Sequence, residues 1–123
     1  MSSWEVHEAQ ALTGPQEVQV ITRRQDGSLR RPRTIWTVGD GHRVFIRSTN
    51  GPTADWYRWA TATGTGQVRA AGKIYEITFI QANDADLTIV DRAFRAKYGH
   101  YASIVDHLQQ PAPRSATLEV HPR

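Results

Sequence analysis

A tight turn at Asp26-Gly27 constrains the fold of this chain more than any other local feature. Residues 17–24 before it alternate in polarity as a strand does, and residues 33–38 after it are rich in β-branched and aromatic side chains. Asp-Gly favours the short turn of an antiparallel hairpin. Because so short a connection has no room for a helix, a ferredoxin-like sandwich, which needs a helix between its first two strands, is the less favoured alternative.

Further turn signals divide the rest of the chain into short strands. Beyond the first two segments, β-type patterns cover residues 43–48, 67–71, 73–81 and 117–120. We expect the strands up to residue 48 to form a three-stranded antiparallel meander. Within residues 73–81, Tyr75, Ile77 and Phe79 share one wholly apolar face, which we expect in the core.

Helical spacing of apolar residues predicts two to three helices. The N-terminal segment, residues 1–16, can form a short helix over residues 3–12 that ends at Gly14-Pro15. The next helix should be capped by Thr53 and end before Gly64. The longest should start at Asp84 or Asp86, end at Gly99 and bury one stripe of side chains: Leu87, Val90, Phe94 and Tyr98.

A further short helix is expected near residues 103–108, and a loop at residues 111–113. Strands with helices lodged between them in this order are typical of a small barrel. The sequence therefore predicts a mainly β (α+β) fold, a small closed or split antiparallel β-barrel of about six strands with two to three helices. At 123 residues, residues 1–123 are expected to form a single domain.

The composition excludes several chemistries. The sequence has no cysteine, so it contains no disulfide, no thiol nucleophile and no thiolate metal ligand. It has no apolar run long enough for a membrane span and no signal-peptide pattern, and we expect a cytoplasmic protein without a membrane partner. The histidines are scattered. His100 and His107, with Asp106, could act as a base or as ligands, but no third ligand is near in sequence, and we predict no metal site.

The basic residues are nearly all arginine. Only Lys73 and Lys97 of the 15 are lysines, and five arginines fall within residues 23–33. Guanidinium suits phosphate and carboxylate, although such a cluster can also be a solubilising surface. We expect no nucleic-acid partner, because few aromatic residues interleave with the basic run and acidic residues are spread throughout.

The candidate site is the stretch from Arg23 to Trp59. It combines the basic hairpin, Arg33-Thr34-Ile35-Trp36 on a strand, Arg47 to Gly51 leaving a strand, and Trp56-Tyr57 on a helix. Arginines, hydroxyls and free backbone N–H groups are what an anion needs. Trp36, Trp56 and Trp59 could form a wall for a flat ring, although core packing is the commoner role for Trp56 and Trp59. A regular strand would place Arg31 and Arg33 on one face and Arg30 on the other.

At this stretch the sequence resembles a known superfamily. The run TRRQDGSLRRPRTIWTVGDGHRVFIRSTNGPTADWYRWA, residues 22–60, looks like the flavin- and deazaflavin-binding split barrels, which include pyridoxamine-phosphate-oxidase-like proteins. It is most similar to the deazaflavin-dependent nitroreductase branch and to a neighbouring set of uncharacterised small proteins. Proteins of that set carry a similar Arg-x-x-Ile-Trp strand and end like FRAKYGHYASIVDH, residues 94–107. The resemblance covers residues 17–121.

The resemblance implies a cofactor site, with FMN or a deazaflavin coenzyme as the cofactor. Gly27, Arg30 and Arg31 match a basic hairpin that handles the cofactor's acidic tail. Thr34 matches the strand beside the ring, Ser48, Asn50 and Gly51 match a small-residue turn, and Trp56-Tyr57 match an aromatic pair. Together with the anion-site reasoning, the predicted cofactor-binding residues are Arg30, Arg31, Arg33, Thr34, Trp36, Arg47, Ser48, Asn50, Gly51, Trp56 and Tyr57.

The chain also departs from the pattern of the superfamily. Ala54-Asp55 replaces a His-Pro pair, Thr63-Gly64-Thr65 replaces an Asn-Pro, and Asp26 replaces a serine. The expected function is that of an oxidoreductase-like protein acting on a small molecule, with no catalytic residue assigned because the cofactor carries the chemistry. The alternative is a split barrel without redox activity that binds another small ligand or acts as a dimeric scaffold. A homodimer is expected in either case.

Overall fold

The computed structural model describes residues 3–123 as seven strands, five α-helices and one 3-10 turn. The strands are β1 Val18–Thr22, β2 Arg33–Ile35, β3 Thr37–Asp40, β4 Arg43–Arg47, β5 Thr65–Ala70, β6 Lys73–Gln81 and β7 Thr117–Pro122. The helices are α1 Val6–Thr13, α2 Asp55–Thr63, α3 Asp84–Tyr98, α4 Ala102–Leu108 and α5 Pro111–Ser115, and the 3-10 turn is Gly51–Thr53.

All strand pairs are antiparallel, and the sheet order is β2-β1-β5-β6-β7-β4-β3. The two edge strands, β2 and β3, are separated in the chain by Trp36 alone. Ile35 pairs with Val18 of β1, and Thr37 pairs with Ile46 of β4. The chain therefore changes partner strand at Trp36 and nearly closes the sheet into a barrel, which confirms the predicted mainly β class.

The predicted meander needs one correction. The single strand expected at residues 33–38 is two strands, of which the first pairs with β1 and the second with β4. The sheet accordingly has seven strands rather than about six. A local pattern shows extended backbone on both sides of Trp36, but it does not show that the pairing partner changes there.

Two apolar clusters hold the barrel together. The inner cluster contains Val44 and Ile46 of β4 together with side chains from the other long strands and α1. The outer cluster contains Phe45 of β4, packed under α3 and α4 with Phe94 and Tyr98. Because successive strand residues point to opposite faces, β4 is buried on both sides. The predicted core face Tyr75, Ile77 and Phe79 is buried in the inner cluster, which confirms that prediction.

The N-terminal segment packs against the barrel, with α1 starting at Val6 rather than at residue 3. Trp4 lies before the helix, and its indole Nε1 donates a hydrogen bond to the Val120 carbonyl of β7 at 2.8 Å. Its ring meets Tyr75 edge-on, with 5.7 Å between ring centroids. Within residues 3–123, no helix has the length and apolar character needed to cross a bilayer.

The later helices differ from the predicted ones in two places, before α2 and at α5. Ala54, not Thr53, precedes α2, and no side chain caps that helix. The start of α3 at Asp84 is one of the two predicted starts, and Asn83 caps this helix by accepting a hydrogen bond from the Asp86 amide. The stretch predicted as a loop at residues 111–113 is the first half of α5, where Pro111 takes the first helical position, which a proline tolerates. With α1 and α5 included, five helices replace the predicted two to three.

The buried stripe of α3 is close to the predicted one. Val90, Phe94 and Tyr98 are buried, and Leu87 is half-buried. The hydroxyl of Tyr98 donates to the Gln16 carbonyl at 2.8 Å. Burial raises the pKa of Tyr98 to about 12, so this hydroxyl keeps its proton over the physiological range.

Candidate functional site

A cleft of about 520 Å³ opens where the chain passes from β2 to β3. The end of β4 and the turn that precedes α2 form one side, and side chains of α3 and α4 form the other. Seven of the eleven predicted site residues line it: Arg33, Thr34, Trp36, Arg47, Ser48, Asn50 and Trp56. This volume is within the range of sites for small molecules and cofactors.

The burial of the lining residues separates a rim from a floor. Arg33, Thr34, Asn50 and Asp55 are exposed and form the rim. Arg47, Ser48, Phe94 and Leu108 are buried and form the floor. The change of strand at Trp36 creates this opening because the backbone beside it is paired with different strands on its two sides.

Arg47 is a fully buried cation at the floor, with a side-chain exposure of 0%. Its Nη1 donates to Asp91 Oδ1 at 2.6 Å and to the Leu108 carbonyl at 3.1 Å, and its Nε donates to Thr117 Oγ1 at 2.7 Å. Burial lowers the pKa of Arg47, and the ion pair with Asp91 opposes that shift. A guanidinium nevertheless stays protonated in proteins, so the floor carries a permanent positive charge.

Two polar atoms at the floor have no hydrogen-bond partner within the described part of the chain. They are Arg47 Nη2 and the hydroxyl oxygen of Ser48, both buried. The Ser48 backbone is satisfied, because its amide donates to the Ala116 carbonyl at 3.0 Å. An unsatisfied buried polar group costs about 1–3 kcal/mol, so two of them on adjacent residues indicate a place for a bound molecule or water.

Asp91 is shared between two arginines. It accepts a hydrogen bond from Arg47 Nη1 at 2.6 Å and one from Arg114 Nε at 3.0 Å. Our sequence interpretation did not include Asp91. The signal was present, because residues 87, 91, 94 and 98 lie on one helical face and Asp91 is the only carboxylate among them. A charged residue on an apolar stripe indicates a buried partner.

Aromatic rings border the cleft on two sides. Trp36 stacks on Tyr98 with ring centroids 3.9 Å apart and planes 3° apart, which fixes the orientation of the indole. Trp56 is half-buried and also packs against the inner cluster, together with Tyr57. Trp59 does not line the cleft, so the wall expected from three tryptophans consists of two.

The basic hairpin is arranged differently from a regular strand. The Arg30 guanidinium carbon lies 4.0 Å from the centroid of the Trp59 ring, and that of Arg33 lies 5.4 Å from it. Arg31 is exposed. Because β2 begins only at Arg33, the expected alternation does not apply, and Arg30 rather than Arg31 lies beside Arg33.

The remaining two predicted residues, Gly51 and Tyr57, have structural contacts outside the cleft lining. Gly51 has a φ of +71°, and a Cβ placed on it would lie 3.1 Å from the Cβ of Ala112 in α5. Glycine thus allows both the turn and the close approach of α5. The Tyr57 hydroxyl donates a hydrogen bond to Gln81 Oε1. Burial raises the pKa of Tyr57, so the hydroxyl remains a donor.

The two histidines considered as ligands, His100 and His107, each make a different contact. His100 packs on Tyr101 with ring centroids 4.1 Å apart, and His107 Nε2 lies 2.8 Å from the Thr49 carbonyl oxygen. Among residues 3–123, no group of three or more histidine, aspartate or glutamate side chains could hold a metal ion.

The fold is similar to those of several solved flavin and deazaflavin proteins. An F420-H2-dependent reductase has a TM-score of 0.66 and 16% identity, with 85% of this chain and 93% of that chain covered. An FAD-binding protein from Mesorhizobium loti has a TM-score of 0.57 and 13% identity, with 98% and 89% covered. A pyridoxamine 5'-phosphate oxidase-related, FMN-binding protein from Nostoc punctiforme has a TM-score of 0.50 and 12% identity, with 96% and 76% covered.

These similarities confirm the split-barrel resemblance seen in the sequence, and at such low identity they establish the fold alone. No curated protein matches the chain in sequence. One family of bacterial proteins matches nearly all of it, from residue 8 to residue 120. The chain therefore belongs to the family described as uncharacterized proteins conserved in bacteria, DUF2255.

Proposed function

We propose that this protein binds a flavin-type cofactor, FMN or a deazaflavin coenzyme, in the cleft between β2 and α2, and that it is an oxidoreductase acting on a small molecule. The observation that carries the proposal is that three segments, separate in the chain, line one cleft: residues 33–36, 47–50 and 53–56. The fold supports the proposal too, because structures with the same fold include F420-H2-dependent, FAD-binding and FMN-binding proteins.

Arg33 at the rim, with Arg30 and Arg31 just outside the cleft, fits the anionic part of such a cofactor. Among the described residues, no carboxylate forms an ion pair with Arg30, Arg31 or Arg33. Arg30 and Arg33 approach the same indole and therefore repel each other, and a phosphate or carboxylate tail between them would relieve that repulsion. In this proposal Arg31, which is exposed, assists only through its charge.

The walls of the cleft fit a planar ring. Trp36, held flat against Tyr98, and Trp56 supply apolar surface, while Thr34 and Asn50 supply polar atoms at the rim. Gly51 and Tyr57 would act indirectly, by shaping the turn and anchoring α2. The bound cofactor would supply the hydride or electron transfer, and the protein would orient the ring and exclude water.

The test is a titration of the purified protein with FMN, FAD and coenzyme F420, followed by visible absorption and cofactor fluorescence. We expect saturable binding of at least one of them. Arg30→Ala and Arg33→Ala should each weaken it about tenfold or more, because a charge-assisted hydrogen bond is worth about 1.5–3 kcal/mol. Arg92→Ala, an exposed arginine on α3 outside the cleft lining, is the matched control. Wild-type protein that binds none of the three would refute the proposal.

The alternative, a split barrel that binds another small ligand without redox chemistry, is favoured by one observation. Asp55 and Glu17 place carboxylates on the same rim as Arg33. Asp55 is paired with Arg58 at 2.6 Å, which reduces its repulsion of an anion, but Glu17 forms no ion pair among the described residues. Glu17→Gln should therefore tighten cofactor binding if the proposal is right, and should weaken binding of a cationic ligand if the alternative is right.

A further inference from the structure

The two unpartnered atoms at the floor of the cleft belong to consecutive residues. The Arg47 side chain and the whole of Ser48 are 0% exposed. Neither Arg47 Nη2 nor Ser48 Oγ has a hydrogen-bond partner within the described chain. β4 ends at Arg47, so strand alternation no longer directs Ser48 to the opposite face, and both residues line the same cleft. Both donors are buried beneath the surface of the cleft, so a ligand group at its floor would reach them once the side chains that cover them shift aside.

The charge at the floor selects the kind of group. Arg47 and Arg114 share the single carboxylate of Asp91, so this cluster holds two positive charges and one negative charge. One further negative charge would neutralise it, whereas a dianion such as a phosphate monoester would overcompensate. The Phe94 ring lies 5.4 Å from the Arg47 guanidinium carbon and helps to hold the guanidinium in place.

The apolar residues around the two donors indicate what the rest of the ligand is like. Phe94, Leu108 and Ile104 line the same cleft beside the two donors, and Trp36 borders it. Apolar walls around a small polar centre favour a compact ligand with an apolar body and one charged end. A carboxylate has two oxygens, one for the Nη2 hydrogens of Arg47 and one for the hydroxyl hydrogen of Ser48.

We propose that Arg47 and Ser48 bind the carboxylate of a small apolar monocarboxylic acid, and that this acid is the substrate. The role as substrate rests on the proposed function, whereas the binding itself does not. The assignment separates the floor of the cleft, which takes the substrate's carboxylate, from Arg33 at the rim and Arg30 outside the cleft, which take the cofactor's anionic tail.

The experiment is a calorimetric titration of the whole protein, free of added cofactor, with benzoate as the probe. Benzamide, which has the same shape and no charge, is the ligand control, and inorganic phosphate tests the preference for a monoanion. We expect benzoate to bind at millimolar concentration or below, and both benzamide and phosphate to bind at least tenfold more weakly.

Ser48→Ala tests the site with little risk to the fold, because the deleted hydroxyl bonds to no protein atom in the described chain. We expect this variant to bind benzoate about tenfold or more weakly while its unfolding free energy stays equal to or above that of the wild type. Ser103→Ala, an exposed serine on α4, is the matched control and should change neither quantity.

Three results would overturn the carboxylate site: no benzoate binding to the wild type, equal affinity for benzamide, or unchanged affinity in Ser48→Ala. Repeating the titration with a saturating flavin then tests the substrate role. Competition between benzoate and the flavin would assign the floor to the cofactor and overturn that role, whereas independent binding supports it. Benzoate binding without binding of any flavin would refute the proposed function and leave the carboxylate site standing.

Discussion

The shared carboxylate of Asp91 offers a sharp test of how the floor of the cleft is held together. Asp91→Asn keeps the shape of the side chain but removes its charge and turns one acceptor into a donor facing a guanidinium. Arg47, fully buried, would lose its only ion-pair partner among the described residues. Removing one member of a buried ion pair costs about 3–5 kcal/mol. Since Asp91 is 23% exposed, we expect the low end, a loss of about 3 kcal/mol in the free energy of unfolding.

The matched control is Asp106→Asn in α4. Asp106 accepts a hydrogen bond from Arg95 at 2.6 Å, the same distance as in the Arg47–Asp91 pair, but these side chains are 66% and 44% exposed. Exposed pairs contribute about 0–1 kcal/mol, so Asp106→Asn should be nearly neutral. The chemical change is identical in the two variants, and what differs is burial together with the second arginine, Arg114, on Asp91.

Urea unfolding followed by tryptophan fluorescence measures both variants. With a denaturant dependence of about 1–3 kcal/mol per molar urea, a loss of 3 kcal/mol lowers the midpoint by roughly 1–3 M. A loss below 1 kcal/mol for Asp91→Asn, or equal losses in the two variants, would refute the view that Asp91 neutralises a buried charge. A circular dichroism spectrum at zero denaturant checks that both variants start folded.

Three further predictions concern stability and assembly. Ala71 has a φ of +51° in the β5–β6 turn, before Gly72. Ala71→Asn should stabilise the protein by about 1 kcal/mol, because asparagine tolerates this conformation. Thermal unfolding should show a higher midpoint for this variant and a lower midpoint for the control, Ala96→Asn in α3. Arg43 hydrogen-bonds Asp86 and lowers the pKa of that carboxyl, and it lowers the pKa of Glu119 although burial of Glu119 acts in the opposite direction. The stability that these contacts contribute is present above pH about 4 and should be lost as the pH falls further, because the carboxylates of the unfolded chain take up protons first. Arg43→Leu should make the free energy of unfolding less dependent on pH in this range. An acid unfolding curve that is the same in wild type and variant would contradict this prediction. Light scattering should give twice the monomer mass at micromolar concentration, and a monomer mass throughout would disprove the homodimer.

Local sequence patterns predicted the elements whose character depends on neighbouring residues. The alternation in residues 73–81 identified the buried face of β6, and the 3.6-residue spacing identified Val90, Phe94 and Tyr98 as the buried stripe of α3. These predictions succeed because a strand or helix with one apolar face must bury that face, whatever it packs against. Seven of the eleven predicted site residues line the cleft, and they were predicted because arginines and tryptophans concentrate in one stretch that resembles the split-barrel superfamily.

Local sequence patterns did not predict which strands pair across the sheet. The break at Trp36 requires β1 and β4 to be in place on either side, and these are the two strands between which the chain changes partner. The position of Arg30 beside Arg33 likewise depends on Trp59, which is brought there by α2. Neither contact has a signature in the sequence immediately around it.

By itself the sequence determined the class of this protein: short hairpins, a small mainly β barrel, and a basic, tryptophan-rich stretch suited to an anionic ligand with a flat ring. These follow from turn chemistry, side-chain periodicity and the donor geometry of guanidinium, all of which are local. Only the tertiary structure decided that Arg47 is buried, that it shares Asp91 with Arg114, and that its Nη2 and the Ser48 hydroxyl are left without partners. The reason is that burial and the satisfaction of hydrogen bonds depend on residues 40 or more positions away, which come together only when the barrel closes around β4.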